Sequence, residues 1–389
     1  MKSLRAAPTC HNVRVSIPAE FVLPGPLSLT KVLGGAAAAC GIGGDEAWAG
    51  WAADLDLPSA RRACVVLVDG LGLAQLRERS GHFPYLRRRE ASALTTVVPS
   101  TTAAAVTAIG TGALPGQTGM LGYTVRDPDT GQLMNMIKWD HEITTPRQWQ
   151  TVPTIAERAV PGARFAAIGP ARFVGSGLNT AALRSFRDVS AETLAQRVDA
   201  AVHTLRSGAA DLVYLYWGEL DHVGHVHGWN SWEWGEQASS VDHELGELVR
   251  RLPRGTLVII TADHGMIDVE ERLDIARIET LTRGVDVVAG ESRAVHLYTA
   301  EPDAVADRWR AELGERAWVY TATEAIEAGM FGPTTQHTRS VMGDVLAFAR
   351  NRLAIVDSRY QSDGAIGLIG VHGSLTPDEM YVPLIVEVC

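Results

Sequence analysis

The sequence predicts an α/β fold: a mostly parallel central sheet with helices on both faces, plus a small α+β insertion. Three observations predict it. Short apolar runs such as residues 63–68 (ACVVLV) and 256–261 (TLVIIT) show no polar alternation, as expected of strands buried on both faces. These runs alternate with amphipathic segments, the pattern of a parallel sheet crossed by helices. After Asp263 the order changes to strand, strand, helix, strand, helix.

Taken in order, residues 1–62 hold one expected strand, 13–17, in otherwise irregular sequence, and read as an extension packed on the core. The 63–68 run leads through Asp69-Gly70 into an amphipathic segment at 73–79. A helix-like stretch at 154–159 precedes the run FAAIG at 165–169. The amphipathic stretch 190–205 precedes DLVYLY at 211–216, and 241–251 precedes 256–261. In the insertion, strands are expected at 285–290, 294–299 and 317–321, with helices at 303–313 and 323–329. Runs at 345–348, 353–356 and 383–388 are expected to rejoin the main sheet. The division is therefore 1–62, a main unit of 63–265 with 344–389, and an insertion at 266–343 that is a candidate cap.

Composition excludes several classes. With 389 residues, 46% hydrophobic and 21% charged, the chain is too apolar to be disordered. Its net charge is −10, and Lys2, Lys31 and Lys138 are the whole lysine complement. An acidic chain without a basic tract is a poor general nucleic-acid binder, and no such partner is expected. Cys10, Cys40, Cys64 and Cys389 form no CxxC pair, so neither a disulfide framework nor a thiolate zinc cluster is expected. No signal-like h-region and no run of about 18 apolar residues is present, so a cytoplasmic protein without a membrane span is expected.

The chemistry sits at the strand ends, where open α/β sheets bind ligands. Asp69 follows VVLV, and Asp263-His264 follows LVIITA. Asp221 and His225 lie just past LVYLYW, four residues apart and so on one helical face. Thr102 follows Val98-Pro99, and His372 follows the run 366–371. Alone, an Asp after a strand is a turn or cap residue and a buried His a satisfied core residue. Their coincidence at five strand ends points instead to Asp/His metal ligation. Thr102 opens an Ala-rich helix start: it reads as an ordinary cap, or as a hydroxyl where a phosphate would bind.

The ordered set VLVDGLG, VPSTTAAAVTAIGTG, D-x-x-G-H-x-x-G, TADHGM and VHGSLTPDEMYVPLI resembles the alkaline phosphatase superfamily, specifically its nucleotide pyrophosphatase/phosphodiesterase-like branch, over residues 60–389. The resemblance implies an alkaline phosphatase-like catalytic core and two divalent metals. One is expected on Asp69, Asp263, His264 and the Thr102 oxygen, and the other on Asp221, His225 and His372. Zinc is usual in the family; manganese and iron are the alternatives. Thr102, rather than Thr101, is implied as a nucleophile that forms a phosphoryl-threonine intermediate. The implied activity is hydrolysis of phosphodiester or pyrophosphate bonds in a small phosphodiester or nucleotide.

Three departures narrow this. The family His-Gly after the nucleophile helix is Thr118-Gly119 here. The family Asn that binds a phosphoryl oxygen has no counterpart in 120–123, where Tyr123 is the candidate substitute. Residues 103–105 are all Ala, so the Cys or Ser and the following Arg motif of sulfatases are missing. The same residues hold no Arg for a monoester dianion, which favours a diester. Lys138 reads as a phosphate contact or a solvated Lys. Trp217, Trp229, Trp232 and Trp234 read as stacking on a base or as local packing. His337, Arg339 and Asp344 read as anchoring the insertion or touching substrate. The rival readings are a phosphomonoesterase or phosphonate hydrolase, a phosphotransferase or mutase, and a non-catalytic metal-binding protein.

Overall fold

The computed structural model describes residues 20–139 and 143–389, so the expected 13–17 strand and Cys10 lie outside the described residues. The main sheet has seven strands in the order Ser92–Thr95, Tyr381–Val388, Thr256–Thr261, Arg62–Val68, Leu212–Trp217, Phe165–Gly169 and Arg187–Ser190. Arg62–Val68 pairs in parallel with Leu212–Trp217 and with Thr256–Thr261, and Phe165–Gly169 extends the parallel part. Among the described residues, only Tyr381–Val388 runs antiparallel in this sheet, between Thr256–Thr261 and Ser92–Thr95.

The apolar runs fold this way because both their faces are covered. Val65, Val66 and Leu67 are fully buried, as are Leu257 and Ile259. Helix Leu194–Arg206 packs on Leu212–Trp217, and the 20-residue helix Trp232–Arg251 packs on that helix in turn. Helices Val32–Ala39 and Thr102–Thr111 also belong to the core around the sheet. Cys64 lies inside it as a small apolar residue, its thiol pushed up to about 12 by burial.

The insertion forms a separate antiparallel sheet in the order Val287–Glu291, Ala294–Tyr298, Val345–Ala349, Ala317–Thr321. This corrects the expectation for two C-terminal runs. Val345–Ala349 completes the small sheet, and Leu353–Val356 pairs with Glu271–Asp274, leaving Tyr381–Val388 as the run that joins the main sheet. The cause is alternation. Val345 and Ala347 pack with helix Pro302–Leu313, whereas Leu346 and Phe348 pack with Met120, Leu121 and Ala103. The small sheet is thus sandwiched between its own helix and the segment that carries Thr102.

Candidate metal centre and active site

Three neighbouring parallel strands deliver carboxylates to one edge of the sheet. The ladder continues one residue past Arg62–Val68: Asp69 N–H donates to Trp217 O at 2.8 Å, fixing Asp69 beside the next strand end. Asp221 and His225 lie one turn apart on helix Glu219–His227, with His225 Nε2 3.2 Å from Asp221 Oδ2. Asp263 and His264 leave Thr256–Thr261, and Gly70 N–H donates to Asp263 Oδ1 at 3.2 Å. Gly70 has φ +74°, and a side chain there would press on Asp221, with a Cβ 3.0 Å from the Asp221 Cβ. Thr102 is the first residue of helix Thr102–Thr111, and its Oγ1 lies 3.2 Å from His264 Nε2. His372 enters from the far end of the chain, after the two-residue strand Gly370–Val371 that pairs with Ile267–Asp268.

The seven residues converge. His264 Nε2 lies 3.3 Å from Asp69 Oδ1 and 3.4 Å from Asp263 Oδ2. The His264 and His372 rings stack with centroids 3.6 Å apart, and His372 Nε2 is 3.9 Å from Asp221 Oδ1. Among the described residues, two donor groups are compact enough to hold an ion: Asp221, His225 and His372, and Asp69, Asp221 and His264. Asp221 belongs to both groups. The sequence-based grouping put it in one only, with Asp69, Asp263, His264 and Thr102 in the other.

The donor set fits divalent cations. Asp69 Oδ1, Asp221 Oδ1 and Asp263 Oδ2 are buried without a hydrogen-bond partner. Each imidazole turns Nδ1 to a backbone carbonyl: His225 to Gly370 O at 2.7 Å, His264 to Gly265 O at 3.0 Å and His372 to Ser100 O at 3.0 Å. A carbonyl accepts, so Nδ1 carries the proton and Nε2 offers its lone pair to the cluster. Among the described residues, no Lys or Arg pairs with these carboxylates. Buried carboxylates without a Lys or Arg counter-charge are costly, and a dication would supply what is missing.

The titration tendencies reflect this crowding. Burial, then the neighbouring Asp263 and Asp221, pushes the Asp69 carboxyl well above the usual range. Burial also works to raise Asp221, but His225 and His372 outweigh it and hold Asp221 low. Burial opposes charging of His225, yet Asp221 lifts it to about 9. His372 is held well below the ordinary range by burial and by His264.

A cavity of about 510 Å³ opens beside Thr102, Asp69 and Asp221. Its walls are mostly apolar, including Ile137, Ile168, Phe173 and Leu178, and Lys138 and Arg172 also line it. Lys138 is therefore at the cavity, whereas Tyr123 is not among the lining residues. Nor are the four tryptophans. Trp217, Trp229 and Trp234 are buried in the core, as the packing alternative has it, whereas Trp232 is exposed and neither packs there nor lines the cavity. Among the described residues, the 266–343 segment supplies none of the cavity lining. His337 packs edge-on against Trp149 at 5.0 Å, and Asp344 accepts from Thr299 N–H at 2.8 Å. Both are anchoring contacts.

Two site residues escaped the sequence. Glu291, at the end of the small sheet's first strand, brings a fourth buried carboxylate 3.9 Å from His372 Nδ1. Burial raises it to about 8, while the Thr101 hydroxyl pulls the other way. Nothing in the run VVAGESR separates it from an exposed turn residue. Tyr216 donates its hydroxyl to Asp69 Oδ2 and lines the cavity. Its signal was available: a tyrosine in a strand buried on both faces needs a partner for its hydroxyl.

Comparison with known proteins places the chain. The family model for type I phosphodiesterase / nucleotide pyrophosphatase matches residues 63–375, so the chain belongs to that family. A segment of 67 residues is 43% identical to human ectonucleotide pyrophosphatase/phosphodiesterase family member 7, covering 16% of this chain and 15% of that protein. A 63-residue segment is 36% identical to the human catalytic subunit of GPI ethanolamine phosphate transferase 3, covering 16% of this chain and 6% of that protein. The matches thus span a small part of these curated relatives. Murine ectonucleotide pyrophosphatase / phosphodiesterase 5 shares the fold with TM-score 0.65 at 20% identity, over 83% of this chain and 87% of that one. Phosphonoacetate hydrolase from Sinorhizobium meliloti 1021, solved with phosphonoacetate, does so with TM-score 0.65 at 20% identity, over 85% and 91%.

Proposed function

We propose that this member of the type I phosphodiesterase / nucleotide pyrophosphatase family is a two-metal hydrolase of small phosphodiesters that uses Thr102 as its nucleophile. One observation carries the reading: the Thr102 hydroxyl stands at a helix N-terminus, 3.2 Å from His264 Nε2, against two donor groups that share Asp221. The ions, when bound, supply Lewis acidity that eases loss of the hydroxyl proton and offsets charge developing on phosphorus. The mixed Asp/His donors favour zinc, and manganese and iron accept the same set.

The chain's own residues do the rest. Thr102 Oγ attacks phosphorus in line, the bond to the leaving oxygen breaks, and a threonine phosphoester forms. Water then attacks the same phosphorus and releases Thr102 with its proton restored. Thr101 makes no side-chain cap to the backbone amides at the start of helix Thr102–Thr111, which leaves them available to phosphoryl oxygens. The diester preference rests on space: no Arg follows Thr102 in its helix, Lys138 and Arg172 stand on the cavity wall, and the cavity beside Thr102 has room for a second ester substituent.

The test compares a bis-aryl phosphate diester with the matching aryl monoester on zinc-loaded protein, with Thr102→Ala beside it. Faster diester cleavage, lost in Thr102→Ala, is the expected result. A faster monoester replaces this reading with a phosphatase, and unchanged turnover in Thr102→Ala removes the nucleophile.

A further inference from the structure

Tyr216 sits where the cavity wall meets the carboxylate cluster. It lies on Leu212–Trp217, directly beside Leu67 in the register of the adjoining strand, two residues before Asp69. Its hydroxyl donates to Asp69 Oδ2, while Asp69 Oδ1 has no hydrogen-bond partner and faces His264 Nε2 at 3.3 Å. The two oxygens of one buried carboxylate are therefore unlike: one is engaged by a phenol, and the other is free toward the cluster. The Tyr216 backbone is itself fixed, since its carbonyl accepts from Arg197 Nη1 at 2.7 Å. Its ring packs against Phe173 with centroids 5.7 Å apart, and both rings line the cavity.

We propose that Tyr216 is a positioning residue that makes Asp69 a one-oxygen metal ligand. The inference rests on the two-metal reading above. A carboxylate free to rotate can offer both oxygens to a cation and so raise its coordination number. The phenol engages Oδ2, fixes the carboxylate plane and leaves Oδ1 as the metal-facing atom. Such outer partners govern metal affinity and geometry as strongly as the ligands they orient. Because the same ring walls the cavity, the residue that shapes the substrate space also sets the coordination of the adjacent metal position.

The test is direct metal titration of the full-length parent and Tyr216→Phe, which keeps the ring and removes only the hydroxyl. Near-ultraviolet circular dichroism of the metal-free proteins checks that both are folded. The expected result is two equivalents of zinc in the parent, and one of them held about 10- to 100-fold more weakly in Tyr216→Phe. Cobalt(II) gives a second readout that a purely structural tyrosine would not move. Its visible bands weaken in Tyr216→Phe as Asp69 turns to two-oxygen ligation and the coordination number rises. With metal saturating, kcat falls while KM for a bis-aryl diester stays within about twofold, since the cavity wall is unchanged. Equal affinities with identical cobalt spectra, in a parent that binds two ions, overturn the role of Tyr216 alone. A parent that binds no divalent ion overturns the two-metal reading and this inference with it.

Discussion

Among single residues, Asp221 carries the most. It belongs to both compact donor groups, with one oxygen 3.2 Å from His225 Nε2 and the other 3.9 Å from His372 Nε2. His225, by contrast, belongs to one group. Asp221→Asn is therefore expected to weaken both metal equivalents, and His225→Ala only one, when zinc stoichiometry is measured by equilibrium dialysis with elemental analysis. Selective loss of one equivalent in Asp221→Asn would mean that the groups are independent. The seven candidate residues were legible because each lies at or shortly past an apolar run, and Asp69, Asp221, Asp263 and their neighbours leave adjacent strands at one edge of the parallel sheet. The sharing of Asp221 was not, because helical spacing places it beside His225 but says nothing of its distance to Asp69. Glu291 was hidden for a related reason: its role depends on how a second sheet docks, which local pattern does not encode.

At the scale of elements, the helix Thr102–Thr111 holds the hydroxyl in place by close packing rather than by length. All ten of its residues are buried. Gly110 lies so near helix Gly177–Ala182 that a Cβ there would fall 2.0 Å from the Ala182 carbonyl oxygen. Backbone cannot yield as a side-chain tip can, so Gly110→Ala is expected to cost about 1–3 kcal/mol of stability. Activity should fall further than stability explains, because the shifted helix carries Thr102. Urea unfolding with parallel diester kinetics checks this, and a variant as stable and active as the parent would contradict the packing argument. Helix existence here was readable from Pro99, the Ser/Thr run and the alanines. The destination of 345–349 was not. Its apolar run suits the edge of a large sheet or the middle of a small one, and side-chain alternation against two different partners decided it.

For the whole molecule, the question is what ties the small sheet to the catalytic edge. The buried pair of Arg293 and Glu379 does so, with Nη2 2.7 Å from Oε2 and Nε 3.0 Å from Oε1. Glu379 also accepts from Ser374 N–H at 3.0 Å and from the Thr376 hydroxyl at 2.6 Å, bracing the loop that follows His372. Removing one partner leaves a buried, unbalanced charge. Glu379→Gln should cost about 3–5 kcal/mol, and the paired Arg293→Met/Glu379→Leu change distinctly less. Equal losses in the two proteins, measured by denaturant unfolding, would assign the cost to packing instead. Among the described residues no helix is long and apolar enough to cross a membrane. The net charge of −10 sets the molecule against polyanions, in keeping with the small phosphodiester substrate proposed above. The central claim is that Thr102 takes the phosphoryl group, and acid quenching during bis-aryl diester turnover followed by peptide mass spectrometry tests it most directly. The expected result is an aryl phosphoryl adduct on Thr102, absent from Thr102→Ala. A protein that turns over substrate with Thr102 unmodified at every quench time, and with equal rates in Thr102→Ala, would contradict it.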